Sequence, residues 1–157
     1  MARASFAAGC FWDVEAAFRN VAGVRATAVG YAGGHVANPD YAAVCTGRTG
    51  HAETVLVEYD PQAVSYEELL AAFWACHEPA RRHRQAAGRA SQYRSVIFWH
   101  DETQRVAAEA SLTAERAAGR HRGRVVTEIR PAGDFWPAED EHQQYLEKRA
   151  GGRLALP

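Results

Sequence analysis

The sequence predicts an α+β fold, a two-layer sandwich in which helices pack on a mixed sheet built around a ferredoxin-like or split βαβ core. Two observations support this prediction: short strand patterns alternate with helical patterns, and the links between them are both hairpin-sized and crossover-sized. The 157 residues suit one domain, since compact domains usually hold about 100–200 residues. We therefore expect a single domain over residues 1–157 that ends in a short irregular tail at 150–157.

The composition is that of a folded protein, with 47% hydrophobic and 24% charged residues. The formal net charge of -1 argues against a non-specific nucleic-acid binder, which normally carries a basic excess. The sequence contains no run of about 18 apolar residues that could cross a membrane, and residues 1–10 lack the apolar core of a secretory signal. We expect a cytoplasmic monomer with no nucleic-acid or membrane partner.

Residue spacing predicts the elements of the first half of the chain. Alternating patterns predict strands at residues 3–8, 24–31 and 53–59. Apolar residues recur at helical spacing from Cys10 onwards, and Gly23 marks the end of this helix. A short helix is expected over Tyr41–Cys45. The next helix opens with a capping box at Ser65 and Glu68.

The second half of the chain continues the alternation after a long loop over residues 78–92. Pro79 disfavours helical geometry just before it, so the preceding helix should end near His77. The predicted elements that follow are a strand at Ser95–Trp99, a helix at Glu102–Ala118, a strand at Val125–Ile129 and a last helix that starts at Pro137.

Cys10 is the leading candidate for chemistry. It follows Gly9 at a predicted junction between a strand and a helix, and Phe11 and Trp12 come directly after it. Unpaired backbone N–H groups and the positive dipole end of a helix N-terminus favour a thiolate, so we expect the pKa of Cys10 to be lowered. The alternative is an inert buried cysteine followed by core aromatic residues.

The three cysteines, at positions 10, 45 and 76, form no CxxC pair. A zinc knuckle and a thioredoxin-type dithiol are therefore not supported, and we predict no metal site. Cys76 falls on the apolar face of its predicted helix, so we expect it in the core. We expect Cys45 to be a buried structural thiol.

Six blocks of sequence stand in an order that resembles the A-type peptide methionine sulfoxide reductase family. The blocks are Gly9–Trp12, Gly30–Gly34, Asn38–Tyr41, Gly47–Glu53, Gln92–Ser95 and Trp136–Tyr145. The resemblance covers roughly residues 5–149. It implies an oxidoreductase that uses thiols to reduce methionine (S)-sulfoxide, free or in peptides and proteins, as a repair of oxidative damage. It also implies the family's two-layer α+β core.

The resemblance implies roles for four polar residues. Cys10 matches the nucleophile that attacks the sulfoxide sulfur and is left as a sulfenic acid. Glu53 matches the acid, and a carboxyl group in a partly apolar site can hold a proton near neutral pH and donate it. Tyr41 and Tyr93 match two tyrosines whose hydroxyls bind the sulfoxide oxygen. Without the resemblance, a solvated Glu53 and half-buried structural tyrosines would be the commoner outcome.

The aromatic residues and histidines of these blocks are expected to have binding or structural roles. Phe11 and Trp12 match the apolar pocket for the terminal methyl group of the substrate. His51 precedes Glu53 by two residues, but in the family this histidine is not a catalytic base, so a structural role is expected. His142 and Tyr145 are spaced to share one face of the last predicted helix, where they could support the site or belong to the core.

Two features depart from the family pattern. The family carries an aspartate near the position of Gly88 that this chain lacks, so affinity, substrate range or proton handling could differ. The tail at 150–157 lacks the family's resolving cysteines, so a sulfenic acid at Cys10 must be reduced by an external thiol, or by Cys45 or Cys76 if either can approach. We favour the external thiol.

The implied partners are the sulfoxide substrate and thioredoxin or another thiol reductant, and no cofactor is implied because the electrons arrive as thiols. Two alternatives remain open: a specialised reductase of another small sulfoxide, and a redox sensor or sulfoxide-binding module without turnover. The basic segment Arg81–Arg84, with Arg89 nearby, is expected to be solvated. The alternative is that this segment attracts an acidic substrate.

Overall fold

The structure, a computed structural model, describes residues 1–80 and 91–155. The predicted features at Arg81–Arg84, Gly88 and Arg89 lie outside the described residues. Strands and helices alternate along the described chain in the following order: β1 (Ala2–Ala8), α1 (Phe11–Arg19), β2 (Val24–Ala32), α2 (Tyr41–Cys45), β3 (Ala52–Tyr59), α3 (Tyr66–Ala75), β4 (Ser95–Trp99), α4 (Glu102–Ala118), β5 (Glu128–Pro131), β6 (Phe135–Pro137), a 3₁₀ turn (Asp140–His142) and α5 (Tyr145–Ala155).

The six strands form one mixed sheet in the order β5-β4-β1-β3-β2-β6. The central four strands pair antiparallel in the order β4-β1-β3-β2, and α1 and α3 connect β1 to β2 and β3 to β4. This is the arrangement of a ferredoxin-like, split βαβ core. β5 adds a parallel strand beside β4, and β6 adds an antiparallel strand beside β2. The predicted fold class is therefore confirmed.

The sheet and the helices bury a shared apolar core. Residues that alternate along β1 point to opposite faces. Phe6 stacks on Phe18 of α1 with ring centroids 4.8 Å apart, and it also contacts Phe73 of α3 at 5.4 Å. Ala108 of α4 belongs to the same buried cluster. A smaller cluster that includes Ala7 forms separately. The helices thus form a second layer on the sheet.

Antiparallel pairing brings distant parts of the chain to one edge of the sheet. β1 runs toward Cys10, and its register with β3, which pairs Phe6 with Val55, continues toward Glu53 at the start of that strand. β4 begins opposite the last residue of β1, so the segment around Tyr93 lies at the same edge. β2 ends there as well, with Tyr31 opposite Glu53. The strand ends therefore bring the segments of Cys10, Glu53 and Tyr93 together.

Helix α3 begins as the sequence predicts. The hydroxyl of Ser65 accepts a hydrogen bond from the backbone N–H of Glu68 at 3.0 Å, and the Glu68 carboxylate accepts one from the N–H of Ser65 at 3.4 Å. These two bonds form the predicted capping box. The helix ends at Ala75, close to the expected end near His77.

The strand predicted over Val125–Ile129 is shifted in the structure to Glu128–Pro131. The backbone N–H of Val126 donates to the carbonyl of Pro79 at 3.0 Å, so this part of the segment does not pair with β4. The ladder with β4 starts where Glu128 meets Val96. The apolar pattern indicated a buried extended segment. It could not show which residues of that segment pair with β4.

The last helix was predicted to start at Pro137, and this start is wrong. Pro137 ends strand β6, and α5 begins only at Tyr145. Gln144 has a φ of 49°, a left-handed conformation that interrupts helical geometry before α5. Helix α5 runs to Ala155, where an irregular tail from residue 150 was expected. In the part of the chain that the structure describes, none of the helices is both long and apolar enough to span a membrane.

Candidate active site

Cys10 lies at a sharp turn between β1 and α1. Gly9 has a φ of 104°, a conformation that side chains disfavour, and a Cβ atom there would meet nothing within 4 Å. Cys10 is the N-cap residue of α1, and its carbonyl accepts from the N–H groups of Asp13 and Val14. The half-buried thiol thus stands at the helix N-terminus beside open space.

The pKa of Cys10 is raised above its ordinary value, chiefly because burial penalises the thiolate. The backbone N–H groups of Trp12 and Asp13 lower it, whereas the negative charge of Glu53 raises it. The helix N-terminus therefore acts in the predicted direction but is outweighed. The expectation of a lowered pKa is wrong, because burial and the nearby carboxylate were not visible in the sequence.

Glu53 is buried directly beside the residue that follows the nucleophile. Its side chain is only 1% exposed, and Oε1 accepts a hydrogen bond from the backbone N–H of Phe11 at 3.1 Å. Oε2 accepts from Nε2 of Gln92 at 3.0 Å. Burial raises the pKa of Glu53, and these two hydrogen bonds only partly offset it. The environment favours a carboxyl group that can hold a proton.

Tyr41 and Tyr93 approach this carboxyl group from two other segments. Tyr41 starts α2, where Asp40 caps the helix by accepting from the N–H of Ala43 at 2.8 Å. Burial raises the pKa of both tyrosines, and the charge of Glu53 adds to the effect in each. A hydrogen bond also links the two side chains. Both hydroxyls therefore stay protonated near neutral pH, as donors to an oxygen must.

An aromatic cluster lies on the α1 side of the site. The ring of Phe11 is 1% exposed and packs against Tyr31 and His142, with centroids 5.8 Å and 5.5 Å away. Trp12 is partly exposed, stacks on Tyr145 at 3.8 Å and donates from Nε1 to Nδ1 of His142 at 3.0 Å. Trp12 is therefore the more accessible of these two aromatic residues, whereas Phe11 is buried in the core.

Nearly the whole chain matches one known protein family. Residues 2–156 match the family model for peptide methionine sulfoxide reductase. The peptide methionine sulfoxide reductase MsrA of Methanoculleus marisnigri is 56% identical over 151 residues, which cover 96% of this chain and 92% of the relative. The chain belongs to the peptide methionine sulfoxide reductase family.

Solved structures agree with this membership in the peptide methionine sulfoxide reductase family. Methionine sulfoxide reductase A of Corynebacterium diphtheriae has a TM-score of 0.78 and 39% identity, covering 94% of this chain and 74% of that protein. Reduced Mxr1 of Saccharomyces cerevisiae has a TM-score of 0.85 and 29% identity, covering 95% and 86%. The predicted family is confirmed, and with it the prediction of an oxidoreductase that acts on methionine sulfoxide with thiols.

The four polar residues predicted from the family resemblance lie close enough to affect one another's ionisation. Cys10, Glu53, Tyr41 and Tyr93 come from four separate segments, and their side chains influence one another's charge states. His142 and Tyr145 both contact Trp12, although they do not share a helix as expected, because His142 lies in the 3₁₀ turn and Tyr145 starts α5.

His51 lies just before β3 and holds a loop in place. Its Nδ1 accepts from the backbone N–H of Gly34 at 3.0 Å, and its Nε2 is 2.7 Å from the carbonyl oxygen of Val36. Both ring nitrogens are therefore used by backbone groups, which suits the structural role predicted for it in a member of this family. Such a histidine has no free nitrogen with which to activate Cys10.

The two other cysteines differ in placement, and all three are free thiols. Cys76 follows α3, donates to the carbonyl of Phe73 at 3.3 Å, and burial raises its pKa to about 11. It packs against the core, as predicted. Cys45 is exposed, and its Sγ accepts from Nε2 of Gln92 at 3.4 Å. The expectation of a buried Cys45 is wrong, because α2 is short and ends at this residue.

Sequence reasoning gave no separate role to two polar residues at the site of this reductase, Gln92 and Glu139. Gln92 contacts Glu53 and Cys45. Glu139 accepts from the hydroxyl of Tyr31 at 2.8 Å and from the backbone N–H of Tyr41 at 2.9 Å, which ties α2 to β2. Gln92 and Glu139 stood inside matched blocks, which was the only signal available. Their partners are more than 30 positions away in sequence.

Proposed function

We propose that this chain reduces the S epimer of methionine sulfoxide with Cys10 as nucleophile and Glu53 as general acid. Tyr41 and Tyr93 bind the sulfoxide oxygen, and Phe11 and Trp12 form the apolar pocket for the terminal methyl group. The observation that carries the proposal is the buried Glu53 carboxyl, hydrogen-bonded to the N–H of the residue after Cys10. A carboxyl in that position supplies a proton next to the nucleophile.

The proton balance between Cys10 and Glu53 fits the reaction. Attack needs a thiolate, and the departing oxygen needs a proton. Burial raises the pKa of both groups, so each charged form is disfavoured and the pair keeps at least one proton near neutral pH. Moving that proton from Cys10 to Glu53 creates the nucleophile and the acid together. It also removes the negative charge of Glu53 that opposes the thiolate.

The chemical step conserves atoms and electrons. The electron pair of the Cys10 sulfur attacks the sulfoxide sulfur while Glu53 protonates its oxygen. The S–S bond made by this attack and the S–O bond of the substrate then break while an S–O bond forms at Cys10, which leaves a sulfenic acid and methionine. The thiol loses two electrons and the sulfoxide sulfur gains them. The Tyr41 and Tyr93 hydroxyls stabilise charge on the oxygen as it develops.

An external thiol returns the enzyme to its starting state. One thiol condenses with the sulfenic acid to give a mixed disulfide and water, and a second thiol releases Cys10. Thioredoxin or a small dithiol suits this role. The yeast relative Mxr1 has been solved in complex with Trx2. The partly exposed surroundings of Cys10 are consistent with access for a reductant.

One turnover without added reductant tests this proposal. We expect methionine (S)-sulfoxide to yield one equivalent of methionine and a Cys10 sulfenic acid, trapped by dimedone and located by peptide mass spectrometry. The R epimer should yield no methionine. With dithiothreitol present, many turnovers should follow, and methionine sulfoxide should exceed other small sulfoxides in kcat/KM.

Three results would contradict the proposal. An internal disulfide between Cys10 and Cys45 or Cys76 would exclude recycling by an external thiol alone. Absence of repeated turnover with dithiothreitol would indicate a sensor or binding module. A small sulfoxide with a higher kcat/KM than methionine sulfoxide would indicate a specialised reductase.

Location and domain organisation complete the proposal. The three cysteines are free, which suits a reducing compartment and supports a cytoplasmic protein. The strands of the described residues belong to one sheet, which supports a single domain over residues 1–157.

A further inference from the structure

We propose that Gln92 is a positioning residue for the reduction, whose side-chain amide holds the Glu53 carboxyl in the orientation that protonates the sulfoxide oxygen. This inference rests on the proposed role of Glu53 as the acid. It assigns a function to a buried polar side chain that the chemistry so far does not use.

The contacts of Gln92 concentrate on Glu53. Its side chain is buried, with 4% exposure, and Nε2 donates to Oε2 of Glu53 at 3.0 Å. Its backbone carbonyl accepts from the N–H of Glu53 at 2.8 Å. Since Oε1 of Glu53 is bound by the N–H of Phe11, the two oxygens have different fixed donors. These two donors therefore fix the orientation of the Glu53 carboxyl group.

The orientation of the Gln92 amide is also fixed. Nε2 donates to Sγ of Cys45 at 3.4 Å in addition to Glu53, so the NH₂ group lies between two acceptors. The amide oxygen could not serve Glu53 when its carboxyl is ionised, because two acceptors would then face each other. Cys45 thus occupies one hydrogen of the amide and leaves the other for Glu53.

The backbone of Gln92 is anchored from its other side. The guanidinium of Arg94 donates to the carbonyl of Ser91 at 3.0 Å and to the carbonyl of Gly50 at 2.9 Å. Gly50 lies shortly before β3, the strand that carries Glu53. This bridge holds the segment of Gln92 against the start of that strand, so donor and acceptor move together.

The hydrogen bond from Gln92 opposes protonation of Glu53. A donor to the ionised carboxylate stabilises the charged form, and this bond lowers the pKa of Glu53 against the larger effect of burial. The titratable groups that face Glu53 from the surrounding elements are Cys10, Tyr31, Tyr41 and Tyr93, with Cys45 beyond the amide. Loss of the donor should therefore raise the pKa of Glu53 and free its carboxyl to rotate.

The test is the pH profile of methionine formation in a single turnover at low sulfoxide concentration. Because the reactive state holds one proton on the pair, the acidic limb reports Glu53 and the alkaline limb reports Cys10. Gln92→Met keeps the side-chain length but removes the donor. We expect its acidic limb to move up by about one pH unit. We expect the rate at the optimum to fall roughly tenfold from lost orientation.

Two comparisons separate positioning from a general structural effect. Gln62→Met, at an exposed position in the turn before α3, should leave the profile unchanged. In a Glu53→Gln background, Gln92→Met should change the rate less than about twofold, because the group it positions is gone. If Gln92→Met fails to fold, Gln92→Ala removes the donor with a smaller side chain and provides the same comparison.

The outcomes distinguish this inference from the proposed function. An unmoved acidic limb in Gln92→Met, or an equal loss of rate with and without Glu53, would overturn the role of Gln92 alone. A Glu53→Gln variant as fast as the wild type would instead overturn the role of Glu53, and with it both proposals. A moved limb together with a rate loss that depends on Glu53 supports the inference.

Discussion

Replacing Cys10 with serine is expected to lower the rate of methionine formation by roughly 10,000-fold or more, the scale seen when other enzymes lose a nucleophile. A serine hydroxyl ionises far less readily than a thiol, and its oxygen cannot accept the substrate oxygen as a sulfenic acid. The measurement is methionine released from methionine (S)-sulfoxide, both in a single turnover and with dithiothreitol. Substantial turnover by Cys10→Ser would exclude the mechanism.

Cys76→Ser is the matched control for this variant. Cys76 donates to the carbonyl of Phe73 from the end of α3, and a serine hydroxyl can make the same bond. This variant should form methionine at the wild-type rate in a single turnover. A comparable loss in both variants would show that serine substitution damages the fold rather than the chemistry.

Glu53→Gln is expected to slow the single-turnover rate by about 100- to 10,000-fold, the range for removal of a general acid. The amide oxygen of the new residue can still accept from the N–H of Phe11, and its NH₂ group can donate to the Gln92 amide once that amide turns its oxygen toward it, so the local structure should be kept. What is lost is the proton for the sulfoxide oxygen. Rapid-quench measurement of methionine formation at several pH values gives the size of the effect.

Glu58→Gln controls for the loss of a carboxyl group on the same strand. Glu58 points away from Glu53, is partly exposed and lies 3.4 Å from Arg3 in a surface ion pair. Such pairs contribute about 0–1 kcal/mol, so neither folding nor rate should change measurably. If Glu53→Gln reacts as fast as Glu58→Gln, the proton comes from another group.

The fold could be predicted from sequence because its core depends on local patterns. The alternation in β3, the capping box at Ser65 and the helical spacing after Cys10 each specify an element from neighbouring residues. Once the order of these elements is known, antiparallel pairing places the ends of β1 and β2 beside the starts of β3 and β4. The meeting of Cys10 with Glu53 follows from that topology.

The sequence could not predict features that depend on tertiary contacts. The raised pKa of Cys10 reflects burial and the charge of Glu53, which outweigh the helix N-terminus that the sequence revealed. The late start of α5 is another case. Gln143 binds the backbone of Val29, and Gln144 binds the buried Glu15, so these side chains fix a non-helical path across β2 and α1. Their partners are more than 100 positions away.

The coupling between Cys10 and Glu53 can be measured by alkylation. Iodoacetamide reacts with thiolates, and peptide mass spectrometry reports the labelling of each cysteine separately as pH is varied. Cys76, whose pKa burial raises to about 11, serves as the internal reference. The comparison is between the wild type and Glu53→Gln.

We expect the labelling midpoint of Cys10 to lie above that of an ordinary cysteine in the wild type. It should fall in Glu53→Gln, because removing the carboxylate charge favours the thiolate, while the midpoint of Cys76 stays fixed. A Cys10 midpoint that is the same in both proteins would contradict the coupling between Cys10 and Glu53 on which the account depends.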